Sequence, residues 1–155
     1  MLVLTQKETD LLTDLKKAEQ TCIEKYQRYS NQANDAELKT LFSSLGSVEQ
    51  QHLNTITQIM SGTVPSMSGK QSSEAPLSSM KPAYSMGNND QNKCNDSFLC
   101  SDLLATEKHV SSLYDTCIFE FKDVNIRNAL NHIQKEEQEH GEKIYSYMAK
   151  NSMYS

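Results

Sequence analysis

Two short strings in this 155-residue chain place an acid and an imidazole three residues apart: Glu49-Gln50-Gln51-His52 and Glu137-Gln138-Glu139-His140. On a helix that step puts both side chains on one face, about 5–6 Å apart. Glutamate oxygen and imidazole nitrogen together suit transition-metal ions such as iron or manganese. Two further glutamates, Glu19 and Glu107, sit where apolar residues otherwise recur every three or four positions. Six ionisable residues inside apolar stripes need a physical reason, because a buried, unpartnered carboxylate must take up a proton or destabilise the fold.

The elements that must position these residues follow from periodicity. In the first part of the chain one stripe runs Leu12, Leu15, Glu19, Cys22, Tyr26, Tyr29, and a second runs Leu38, Leu41/Phe42, Leu45, Glu49, His52, Ile56, Ile59. In the last part the stripes are Leu99, Leu103, Glu107, Val110, Tyr114, Cys117, Phe121 and Ile126, Leu130, Ile133, Glu137, His140, Ile144, Tyr147. This is the helical period, without strand-like alternation. Breaks near Ser30–Asp35 and Lys122–Asn125, with Asn34, Asp35 and Asp123 as turn or cap residues, make each helix pair an antiparallel hairpin.

The two halves are also copies. Shifted by 88 positions, Glu19 falls on Glu107, Tyr26 on Tyr114, Glu49 on Glu137 and His52 on His140. Such a repeat orders everything else in the sequence. Each glutamate pair lies fifteen residues either side of its turn, so both members reach the same height in their hairpin. Two facing hairpins then bring Glu19, Glu49, His52, Glu107, Glu137 and His140 to one layer. One Glu on each first helix and Glu-x-x-His on each second helix is the ligand set of ferritin-like di-iron and di-manganese bundles. The expected fold is an all-α four-helix bundle of this ferritin-like kind, with two divalent ions as the expected cofactors. Four carboxylates would match their charge and take the chain's formal −5 to −1.

The remaining sequence bounds this reading. All three prolines fall in 61–97, where only 9 of 37 residues are apolar. That stretch reads as a polar, partly disordered crossover between a hairpin at 1–60 and a hairpin at 98–150, with a tail at 151–155, all in one domain. It is long enough to cross the bundle, and exchange of hairpins with a neighbour, giving a homodimer, stays open. The apolar runs are too short for a membrane span, and the first residues lack the pattern of a secretory signal. A pI of 5.3 argues against nucleic acid as a partner. Glu24 and Glu120 are nearby alternatives to the in-stripe glutamates, but Glu24 sits about 9 Å off level with Glu49. Glu136 and Glu139 fall off the stripe and read as solvated surface; His109 and His132, with no partner pattern, read as surface or ordinary helix residues. Tyr26 and Tyr114 read as hydrogen-bonding core residues, Cys22 and Cys117 as small buried ones. Cys94 and Cys100 read as exposed and able to cross-link.

The stretches 4–26, 43–56, 101–121 and 129–148 resemble the spore coat protein F (Coat F) family of endospore-forming Firmicutes. Thr106-Glu107-Lys108 and the run from Asn131 to Gly141 carry the resemblance most specifically. It implies a fold similar to ferritins and rubrerythrins and deposition in the spore coat after synthesis in the mother-cell cytoplasm, with other coat proteins or itself as partners. The sequence departs from rubrerythrins in two ways. It has no C-terminal module with paired cysteines, and Val110 stands where they place an additional glutamate after the third helix's ligand. Two functions from different classes follow: a structural or assembly protein of the coat, and a di-metal oxidoreductase that removes peroxide or oxygen.

Overall fold

The computed structural model describes residues 2–67, 81–87 and 90–154. Its four helices are α1 (Gln6–Gln32), α2 (Ala36–Met60), α3 (Gln91–Ile118) and α4 (Val124–Lys150). The fold is an all-α four-helix bundle.

Local chemistry starts these helices. Thr5 and Glu8 form a reciprocal capping box at α1: Glu8 N–H donates to Thr5 Oγ1, and Thr5 N–H donates to Glu8 Oε2 at 2.8 Å. Asp123 accepts from Asn125 and Ile126 N–H at α4. Asp90 accepts from Lys93 N–H at α3. That cap starts α3 seven residues before the expected hairpin boundary at 98. The first two turns, QNKCNDS, carry almost no apolar periodicity, so only the cap marks them. Residues 68–80 of the expected disordered crossover lie outside the described residues. Asp35 occupies the N-cap position of α2 without capping it; its carboxylate accepts from Tyr147 OH at 2.7 Å instead.

Cross-helix contacts set the topology. Lys7 near the start of α1 pairs with Glu120 just past the end of α3, and Lys150 at the end of α4 pairs with Glu37 at the start of α2. Hence α1 and α3 run antiparallel, as do α2 and α4, and the two hairpins are antiparallel within themselves. α2 and α3 therefore run parallel, with the end of α2 and the start of α3 at opposite ends of the bundle. The start of α3 is tied down by Asp96, which is fully buried. Asp96 accepts from Asn34 N–H (2.8 Å), Asp35 N–H (3.0 Å) and Tyr84 OH (2.7 Å), so one carboxylate joins the α1–α2 turn, the crossover and α3. Asn151 Oδ1 accepts from Ala83 and Tyr84 N–H and adds the end of α4.

The apolar core is split in two. One cluster gathers Leu12, Leu15, Ile56, Ile59, Val110, Ile126 and Ile133. The other gathers Phe42, Leu45, Leu99, Leu103, Ile144 and Met148. The interrupted stripes explain the split, because the six ionisable residues fall between the two clusters. Cys22 and Cys117 are buried as expected. Cys100 is buried too, contrary to the expected exposure, because the packing of α3 turns that residue into the second cluster; Cys94 is exposed.

Candidate metal centre

Glu19, Glu49, His52, Glu107, Glu137 and His140 are all buried, none more than 2% exposed. Their ligand atoms form two overlapping groups: Glu19, Glu49, His52, Glu137 and Glu49, Glu107, Glu137, His140. Within each group the atoms lie within 4.8 Å of one another. Either group could hold a metal ion. Glu49 and Glu137 belong to both, so these two carboxylates stand between the halves while Glu19 and Glu107 flank them.

The 88-residue repeat becomes a pseudo-two-fold axis in space. His52 Nδ1 lies 2.9 Å from Glu137 Oε1, and His140 Nδ1 lies 2.8 Å from Glu49 Oε1. Tyr26 OH donates to Glu107 Oε1 and Tyr114 OH to Glu19 Oε1, both at 2.5 Å. The tyrosines thus act in the core as expected, but each serves the glutamate of the other hairpin. Gly46 makes room for one of them: a Cβ there would approach Tyr26 Cβ at 3.1 Å.

The symmetry fails at one neighbour. His52 Nε2 lies 3.3 Å from Glu136 Oε1, which also meets His132 Nε2 at 2.9 Å. Glu136 is therefore partly buried behind an imidazole, not a solvated surface residue, and His132 has a partner. Nothing in the local spacing of α4 signals this contact, because His52 lies 84 residues away on α2. The repeat-equivalent of Glu136 is Val48, so His140 has no such carboxylate from that position. A carboxylate behind the outer nitrogen fixes ring orientation and tautomer, the arrangement common behind metal-binding histidines. Glu24 pairs with Arg28 and Glu120 with Lys7 on the exposed surface, away from the cluster.

Without a metal, protons are shared as follows. Burial would strip both imidazoles of charge, but Glu136 and Glu49 around His52, and Glu107 and Glu49 around His140, outweigh it. They raise the two rings to about 10 and about 9. Burial would also raise Glu49, yet His140 and His52 hold it well below the usual carboxylate range. Glu19 and Glu137 move the other way, pushed well up by burial and by the carboxyls of Glu49 and Glu107. Burial and the nearby carboxylates push the Tyr26 and Tyr114 hydroxyls up, which keeps them as donors.

The donor set fits a cation. Glu19 Oε2, Glu107 Oε2 and Glu137 Oε2 are buried and make no hydrogen bond among the described residues. Left ionised, each such atom costs roughly 1–3 kcal/mol, which protons shared between Glu19 and Glu49 and between Glu107 and Glu137 offset only in part. Divalent ions among these oxygens, with Nδ1 of each ring turned inward, would satisfy all three. Hard oxygen donors with two imidazoles match iron or manganese better than soft, thiolate-seeking ions. Cys22, near Glu19, is held protonated by burial and is no competing ligand.

No curated protein and no solved structure matches the chain. The Coat F domain family model matches residues 95–155, which contain Asp96, most of α3, all of α4 and three of the six clustered residues. Residues 95–155 thus form a Coat F domain.

Proposed function

We infer that the chain is a spore coat protein, a structural or assembly component whose bundle keeps a ferritin-like centre for two divalent iron or manganese ions. The Coat F domain supports the coat role. The three unpartnered carboxylate oxygens inside a layer of six ligating side chains carry the metal reading. Glu49 and Glu137 would be shared between the ions, with Glu19 and His52 completing one half and Glu107 and His140 the other. Tyr26 and Tyr114 hold the flanking glutamates, Glu136 holds the His52 ring, and the apolar clusters above and below keep water out. Among the described residues no helix is long and apolar enough to cross a membrane. Other coat proteins, or a second copy of this chain, are the proposed partners, reached after synthesis in the mother-cell cytoplasm.

Elemental analysis of the protein purified without chelator tests the metal centre, with the Glu49→Ala/Glu137→Ala double variant as control. About two iron or manganese ions in the wild type and none in the variant are expected; none in either would refute the centre. Fractionation of mature spores tests the coat role, which fails if the chain is found only in vegetative cytoplasm.

A second reading, a di-metal oxidoreductase acting on peroxide or oxygen, is favoured by one observation: a surface groove between α3 and α4 reaches Glu107 and Glu137. Bound redox-active ions would supply the electrons for such a reduction. Metal-dependent peroxide decay is the expected result, and its absence in fully loaded protein removes this reading.

A further inference from the structure

The two halves of the cluster differ in how they meet solvent. The α3/α4 groove has a volume of about 470 Å³, with Glu107, Glu137, Leu104, Tyr145, Ser111 and Gly141 in its lining. Gly141 is what leaves it open. A Cβ there would touch only Leu104 Cδ1, at an ordinary 3.7 Å, so the space is empty of backbone. Eighty-eight positions earlier the repeat carries Ile23 for Ser111 and Leu53 for Gly141, both half-buried. The α1/α2 face therefore has bulky aliphatic side chains where the α3/α4 face has a hydroxyl and a hydrogen. Of its lining residues, Glu107 and Glu137 each carry a buried oxygen, Oε2, with no hydrogen-bond partner among the described residues.

We propose that this groove is a one-sided binding site for a small molecule with an anionic oxygen donor at one end and an apolar body at the other, which reaches the Glu107–Glu137–His140 half of the cluster and not the Glu19–Glu49–His52 half. The site rests on the metal reading above: three carboxylates alone would repel an anion, and the cation they hold attracts it. The oxygen donor follows from the hardness of an ion held by carboxylates. The apolar body follows from size, because the groove is many times larger than one water, at ~30 Å³, and falls in the range of small organic ligands. Tyr145 packs edge-to-face on Tyr154 at 5.0 Å and offers a flat aromatic wall at the mouth.

The test uses the full chain loaded with Co²⁺, whose visible bands report a change in its donors, titrated with benzohydroxamate. The wild type is expected to load Co²⁺ and to show one saturable band change per chain. Gly141→Leu fills the groove from its half-buried position in the lining; it should load Co²⁺ equally and bind benzohydroxamate at least tenfold more weakly. Ser111→Ile, which copies the opposite face, should weaken binding in the same direction. Leu53→Ala should bind as wild type does. Full loading without a benzohydroxamate response, or a response equal in wild type and both filled variants, overturns the groove while the metal centre stands. Failure of Co²⁺ to load overturns the metal centre and this proposal with it.

Discussion

The Nδ1 atom of His52 lies 2.9 Å from Oε1 of Glu137, a residue 85 positions away on another helix. Glu137 is also the residue three before His140 on its own helix, so each Glu-x-x-His pair is interlocked with the other. The reciprocal contact, His140 to Glu49 at 2.8 Å, closes the loop. Neither hairpin holds a complete set of ligands alone.

This sharing separates two classes of ligand variant. Glu49→Ala removes a donor from both groups and should abolish stoichiometric binding of Mn²⁺. Glu19→Ala touches only one group and should leave about one ion per chain. Equilibrium dialysis reads both. Equal loss in the two variants would show that the groups do not act separately.

Glu136→Ala should weaken the ion beside His52 about 10–100-fold, the usual cost of losing a carboxylate behind a ligating imidazole. The ion beside His140 should be unaffected, since Val48 occupies the equivalent position. Two-phase Mn²⁺ titrations would then separate by a further one to two decades. Unchanged affinity in both phases would assign Glu136 a purely structural role.

The metal-free protein should lose stability as pH rises. His52 and His140 are raised to about 10 and about 9, against about 6.5 when unfolded. Their contribution is complete below the unfolded value and is lost as pH climbs through the folded one. The raised carboxyls of Glu19 and Glu137 act in the same sense; depressed Glu49 acts oppositely, in acid. Thermal melts should therefore fall steadily from pH 6 to 10 without metal and stay level with it. Loading also releases protons, because the two imidazoles, raised to about 10 and about 9, must deprotonate to ligate a metal. A pH-stat titration with Mn²⁺ at pH 7 should therefore consume base, with about two equivalents from the imidazoles alone.

Asp96→Ala should cost about 2–4 kcal/mol in urea unfolding, because it strands the Asn34 and Asp35 N–H groups and the Tyr84 hydroxyl at once. Tyr84→Phe, which removes one donor and leaves the others satisfied, should cost about 1 kcal/mol. A loss below 1 kcal/mol for Asp96→Ala would mean the crossover is not anchored there.

The helices and the six-residue layer were legible because apolar period and repeat spacing are both one-dimensional. Glu19 and Glu107 stood out by occupying slots meant for leucine. Glu136 and Asp96 were not legible, since each gains its role from a helix or turn 60–85 residues away; His132 lies one turn from Glu136 and gains its role through it. Asp96 lay inside a segment whose composition reads as solvated, and it is buried there because Asn34, Asp35 and Tyr84 converge on it. The exchange of tyrosines between hairpins was invisible for the same reason: spacing predicted that Tyr26 would hydrogen-bond, and only packing assigned it to Glu107. Cys100 was misplaced because it was grouped with the end of the linker, whereas the packing of α3 turns it into the second apolar cluster.

The three unpartnered carboxylate oxygens have a consequence for how long the molecule survives. A chain that must hold protons on buried carboxyls when empty is less durable empty than filled. An ion present at a hundred times its dissociation constant adds about 2.7 kcal/mol to the folded state. With the proposed centre loaded, the lifetime of the folded chain would track the supply of divalent metal while it is being made.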